Sequence, residues 1–297
     1  MTTVEQAVAV RALTRPCPRP RWNAGMPGIG RLGLGIITFY LVVALAAPWL
    51  VPHDPTAYLG YPLARPGPVY LLGTNDVGQD LLSELIYGTR VSLVVGLAAA
   101  SLVVVIATVY GALSGYLGGP ADLALMRLLD VLLIIPRLPL MIVIAAYAGA
   151  NLTTTILVIG LLSWPHAARV VRAQVLSLRS RAHVEAARLY GADPWYMLRR
   201  HLMPGLAPIL AAAFVAQAVR AVLLEASLAF LGLGDPSLKS WGMSIQHALQ
   251  VKGFFFGDQW LWWVVPIGVN LSLLLLGFTF LGIGLEVMAN PRLRRSH

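Results

Sequence analysis

Charge is what this sequence has least of. Only 12% of its 297 residues are Asp, Glu, Lys or Arg, about half the share in an ordinary soluble domain. Such a composition excludes a water-solvated globular surface. Lysine is nearly absent, with Lys239 and Lys252 the only two. Neither falls in a Gly-x-x-x-x-Gly-Lys-Ser/Thr stretch, so a P-loop nucleotide site is excluded. Cysteine occurs once, at Cys17, which excludes an internal disulfide and a cysteine-based metal site. No His-Glu-x-x-His is present. His166, His183 and His201 share one polar stretch, but their wide spacing matches no metal motif.

What is there is apolar: 58% of the residues are hydrophobic, and the mean hydropathy is +0.73. A membrane helix needs about 20 largely apolar residues. Six segments qualify, at roughly 32–51, 91–112, 124–148, 152–172, 206–230 and 260–285. The expected fold is an all-α integral membrane protein with six transmembrane helices. Pro136 and Pro139 interrupt the third span, a kink that neighbouring helices can absorb. The fourth is the least apolar and is expected to begin near Leu152 and run past His166 out of the membrane. Ala44-Leu45-Ala46 resembles a signal-peptide cleavage site. However, 31 residues precede a 20-residue apolar run, so an uncleaved first span is the better reading.

The net charge of +9 would suggest a nucleic-acid partner in a soluble protein. Here it is explained by sidedness, and no nucleic acid is expected. With the N-terminus inside, 16 of the 22 basic residues lie on the cytoplasmic side of six spans. Arg65, Arg90, Lys239 and Lys252 lie outside, and Arg137 and Arg220 fall within spans. Positive-inside bias therefore makes both termini and the loop between the fourth and fifth spans cytoplasmic, in a multi-pass membrane protein. The expected organisation is a basic tail (1–31), a first span with its external loop (32–90), a transmembrane domain (91–287) containing the polar loop 173–204, and a short cytoplasmic tail (288–297).

That loop is an arginine-rich island. Residues 177–190 can form an amphipathic helix with Ala186, Leu189 and Tyr190 on one stripe, and with Glu185 and Arg188 spaced to pair. Gly191 supplies a left-handed stop. Asp193 is an N-cap with Pro194 at the first helical position. The second helix is expected to run from Pro194 to His201 and to end before Pro204. Small alanines suit insertion into a partner's groove. An amphipathic linker resting on lipid headgroups is the alternative that composition alone leaves open.

Taken together, Glu185-Ala186-Ala187-Arg188-Leu189-Tyr190-Gly191-Ala192 and Leu202-Met203-Pro204 resemble the EAA signature of bacterial ABC importer permeases. Three more stretches extend the likeness: Leu72-Gly73-Thr74-Asn75-Asp76-Val77-Gly78-Gln79-Asp80-Leu81-Leu82-Ser83 followed by Leu85 through Leu93, Glu225-Ala226-Ser227 through Gly234 with Trp241-Gly242, and Pro291-Arg292-Leu293-Arg294-Arg295. The chain is thus similar to the shorter, six-span permease of the dipeptide, oligopeptide and nickel group, with the type I importer fold. The resemblance implies that residues 185–192 couple to a cytoplasmic ATPase. It also implies a second homologous permease, two ATPase subunits that hold ATP and Mg, and an extracytoplasmic binding protein. The resemblance further implies a bacterial or archaeal plasma membrane, with membrane lipid the remaining partner, and the chain itself is expected to bind no cofactor or metal and to catalyse nothing. Peptides are the implied cargo, with nickel, other chelates and small glycosides open. Gly282-Ile283-Gly284-Leu285-Glu286 and Asn290-Pro291-Arg292 depart from the usual ending of such permeases, and Arg220 is atypical.

Two other classes fit the residues less well. An intramembrane serine protease would need a Gly-x-Ser-Gly-type nucleophile and a deep histidine, and Ala112-Leu113-Ser114-Gly115 does not match. A secondary transporter would not need the EAA-like loop. Asn75, Asp76 and Asp80 lack EF-hand spacing and are expected to cap the second span's helix. Asp130, Arg137, Arg220 and Glu225 are ionisable groups within spans. Charge in hydrocarbon faces protein or water, so these are expected to line a pore or join helices.

Overall fold

The computed structural model describes residues 26–289, the side chains of His183, Arg188 and Ala289 excepted. The expected tail residues 1–25 and 290–297, with Cys17 and Arg292, lie outside the described residues. Helices account for nearly everything else. Among the described residues no β-strand forms, only a bridge pairing Thr74 with Asp80.

In chain order the helices are α1 (Gly28–Leu50), α2 (Leu81–Leu117), α3 (Gly119–Ile134), α4 (Arg137–Ala148) and α5 (Leu152–Arg179). They continue with α6 (Ala182–Leu189), α7 (Pro194–Leu233, one span with two widened turns), α8 (Trp241–Gln250) and, after short helical turns at Phe254–Phe256 and Gln259–Trp262, α9 (Val264–Ala289). Five are long and apolar enough to cross a membrane, and the bent pair α3–α4 makes a sixth.

The third expected span is not one kinked helix. α3 and α4 meet at 79°, because Pro136 restricts Ile135 to the extended region. Ile135 has ψ 125° and Pro136 ψ 111°, so two consecutive residues leave the helical basin. Pro139 then falls in the first turn of α4, where a missing N–H leaves no bond unmade.

A second difference concerns Pro204, which does not end a helix. Residues Met197–Leu202 form a π-turn in which Met203 N–H reaches the Leu198 carbonyl. The widened turn gives the Pro204 ring room that an α-turn would deny it, and α7 runs on into the membrane. The helix expected over 177–190 is also divided. Its first residues finish α5, and Ser180 and Arg181 separate them from α6.

Glycine sets the closest approaches, as expected where lipid offers no hydrophobic drive for helix pairing. Gly111 and Gly115 of α2 lie against α5: a Cβ at Gly111 would sit 2.6 Å from the Ala168 carbonyl oxygen, and one at Gly115 would sit 2.9 Å from Val175. Gly30 and Gly33 of α1 meet Gly284 and Gly277 of α9 in the same way. At the end of the bundle away from α6, α8 seats Trp241, 1% exposed. Its indole donates to the Leu85 carbonyl at 2.9 Å and meets the Tyr40 ring edge-on. Ser240 caps α8 by accepting from Met243 N–H. α8 is not among the expected elements, although a capping serine followed by apolar residues at 241, 245 and 248 marks it locally.

Replacing Gly111 by Val is expected to destabilise the bundle by about 1–3 kcal/mol, the usual range for overpacking. Gly35→Val, where an added Cβ meets nothing within 4 Å, is expected to leave it unchanged. Melting of the purified protein in detergent compares the two.

Candidate functional site

At one end of the bundle, α5, α6 and the start of α7 build a compact helix–turn–helix. α6 closes with a left-handed Gly191 at φ +75°, and Ala192 N–H returns to the Ala187 carbonyl at 3.1 Å, the bond of a Schellman stop. Asp193 then caps α7, accepting from Trp195 N–H at 2.9 Å and Tyr196 N–H at 3.3 Å. Inside this unit Val184, Met197, Leu202 and Leu206 are buried together with Val175 and Leu178 of α5, and Ala187 and Ala192 pack against them.

The eight EAA-like residues therefore divide between two faces. Ala187 and Ala192 turn inward. Glu185, Ala186 and Gly191 are exposed, and Leu189 and Tyr190 are 83% and 92% exposed. Ala186, Leu189 and Tyr190 keep the stripe expected of them, and it is an outward stripe. The Arg188 side chain, and with it the expected pairing to Glu185, lies outside the described residues.

The ionisable groups within spans separate into three settings. Glu225 is buried between helices at 3% exposure, with Ser92 Oγ donating to it at 3.4 Å. Asp130 of α3 pairs with Arg169 of α5 on a half-exposed flank, and Arg137 opens α4 just after the break. Arg220 lines an open cavity of about 770 Å³ between α5, α7 and α9, together with His166, Gln174, Arg181, Gln217 and Glu286. The structure thus does not bring the four expected residues together.

Two charge clusters that spacing alone could not disclose hold the ends of the bundle. Near α6, Asp122 of α3 accepts from Arg172 Nε at 2.6 Å and from Ser114 of α2, while Arg179 donates to the Tyr116 carbonyl at 3.0 Å. α2, α3 and α5 are tied there as one unit. At the far end Glu84 is 4% exposed. It accepts from Lys239 Nζ at 2.7 Å, Asn75 Nδ2 at 3.0 Å and Ser244 Oγ at 2.8 Å, joining loop 51–80 to α8. The partners lie up to 160 residues apart, so no local motif marks them. Asp80 is the N-cap of α2, as expected, accepting from Ser83 N–H at 3.1 Å.

A family model described as "Binding-protein-dependent transport system inner membrane component" matches residues 107–295. The chain is 33% identical over 260 residues to the probable D,D-dipeptide transport system permease of Escherichia coli, covering 86% of this chain and 85% of that one. It is 33% identical over 298 residues to the di/tripeptide transport system permease of Pseudomonas aeruginosa, covering 96% of each. A glutathione transport system permease of Pectobacterium atrosepticum is 32% identical over 87% of this chain and 85% of its own length.

Lys239→Met leaves the Glu84 carboxylate buried without its cation, and is expected to lower stability by about 3–5 kcal/mol. Adding Glu84→Gln removes the stranded charge and is expected to recover much of the loss. Thermal melting of the single and double variants measures the coupling.

Proposed function

The chain belongs to the family of binding-protein-dependent transport system inner membrane components, and from that premise we propose that it forms one half of the membrane pathway of an ATP-driven peptide importer. A membrane permease of this family works with a binding protein and ATPases. In our reading the full assembly holds two homologous permeases, two ATPase subunits that bind ATP and Mg, and one binding protein that delivers the solute. The relatives named for dipeptide and tripeptide transport support peptides as cargo.

The observation that carries the coupling role is the outward stripe of α6. A short helix presenting Leu189 and Tyr190 to solvent beside Ala186 has apolar surface that nothing among the described residues covers. The stripe lies on a helix held rigidly by the Schellman stop, the Asp193 cap and the Val184–Leu202 cluster. A rigid apolar stripe suits a groove on a rigid partner. We assign Glu185, Ala186, Leu189 and Tyr190 to the contact itself, and Ala187, Gly191 and Ala192 to holding its shape. Arg188 completes the segment by its place in the sequence.

The mechanism is alternating access. ATP-driven closure of the ATPases moves α6, and α6 is continuous with the packing of α5 and α7, so the bundle rocks with it. Nucleotide shifts the population between two packings to the extent that it binds one of them better. The chain contributes no ATP site, consistent with its lack of a P-loop motif. Both termini and α6 lie on the cytoplasmic side, which the arginine distribution supports.

Two measurements test this. A cysteine placed at Ser180 is expected to stay unlabelled by an impermeant reagent outside intact cells, and labelling would overturn the orientation. Leu189→Asp and Tyr190→Ala are expected to weaken ATPase co-purification by roughly 30-fold, the scale of losing a central contact worth about 2 kcal/mol, while the permease still inserts. Normal ATPase retention and normal uptake in both variants would reduce α6 to a headgroup-bound linker.

A further inference from the structure

The cavity that opens beside α6 runs deep into the bundle. Its lining on α7 extends from Pro204 to Arg220, a helical distance of about 24 Å. The small residues Gly205, Ala212, Ala213 and Ala216 keep its wall low. At its inner end two polar groups are left over. Arg220 makes no hydrogen bond and no ion pair among the described residues, although charge at membrane depth ordinarily finds a partner. Gln217, one turn away on the same face, is 5% exposed, and its Oε1 meets no donor among the described residues. His166 stands within electrostatic reach of Arg220, and Arg137 and Arg169 add to the field there. Asp130 offsets Arg169. Among the described residues Glu286 is the only acidic one lining the cavity, so its inner wall is cationic.

We propose that Arg220 and Gln217 form a recognition point for the free C-terminal end of a peptide in transit. Arg220 donates to the carboxylate, for which a guanidinium fork is matched in charge and geometry. Gln217 Oε1, shielded in this packing, accepts the last amide N–H of the peptide once its side chain turns into the cavity it lines, one residue's breadth away, as the i, i+3 spacing on α7 allows. A buried acceptor without a donor and a cation without an anion are complementary to a peptide terminus, which presents one of each side by side. The open, low wall toward Pro204 leaves space for side chains of any size, so the point reads the backbone end and not the sequence. Selection then has two stages, the binding protein first and the permease second. The proposal rests on the reading of this chain as half of a peptide pathway.

The test uses the complete transporter in proteoliposomes with binding protein at saturation and a panel of radiolabelled di- and tripeptides. Arg220→Ala is expected to lower ATP-driven uptake by roughly 10–100-fold, the range for a lost hydrogen bond to a charged group. Arg220→Lys is expected to recover most of it, and millimolar guanidinium to restore part of the uptake through Arg220→Ala. Gln217→Leu, which conserves volume and charge, is expected to lower uptake by roughly 3–10-fold. Wild-type uptake through both Arg220→Ala and Gln217→Leu would overturn the proposal while leaving the transporter assignment standing. If Arg220→Ala does not assemble, wild-type uptake through Gln217→Leu alone overturns it. Absence of ATP-driven peptide uptake by the unaltered transporter would overturn the functional reading, and this inference with it.

Discussion

The contact of α2 with α5 through Gly111 and Gly115 is the constraint on which the remaining geometry depends. With no side chain at either glycine, the two helices approach until the Ala168 carbonyl oxygen and Val175 lie 2.6 Å and 2.9 Å from where a Cβ would be. In hydrocarbon such an approach is held by dispersion and by polar ties at its ends, because lipid is as apolar as the side chains it would displace. The polar tie is Arg172 on Asp122, with Ser114 behind it. α5 is thereby fixed along much of its length. Its last turn supplies Val175 and Leu178 to the floor beneath α6, and its middle supplies His166 to the cavity.

From that anchored helix the polar loop inherits its rigidity. α6 has only eight residues, too few to persist alone in water. It persists because Val184 and Ala187 press on a cluster drawn from α5 and α7, and because both of its neighbouring turns are closed by specific bonds. The π-turn at Met197–Leu202 matters for the same reason. It carries the chain past Pro204 without a break, so a displacement of the loop is passed to a span that reaches Leu233. Loop, α5 and α7 are packed on one buried cluster, which is what the proposed coupling to an ATPase requires.

The far end is organised on a different principle. There a buried carboxylate, Glu84, gathers a cation and two neutral donors from loop 51–80 and α8. Fully satisfied polar clusters of this kind specify one arrangement, because any other leaves a charge stranded. Trp241 supplies the apolar half of the same junction. The bundle is thus closed by arginine–carboxylate pairs at one end and by a lysine–carboxylate network at the other, with glycine contacts between.

Hydropathy alone located the spans, since about 20 apolar residues in a row have few alternatives to crossing a membrane. Local chemistry was equally legible where it acts within a few residues: Gly191 as a left-handed stop, Asp193 and Asp80 as caps, and the α6 stripe at 186, 189 and 190. What failed to show in the sequence depends on a three-dimensional neighbour. Pro136 read as a kink, and only the extended backbone of Ile135 and Pro136 makes it a 79° turn. Pro204 read as a stop until the π-turn before it made room for its ring. Arg220 and Glu225 read alike as charges in a span, yet one faces an open cavity and the other a sealed helix junction. A side chain's exposure is decided by which faces of which helices meet, and that is set by the glycine contacts and the long-range ion pairs, not by any local spacing of residues.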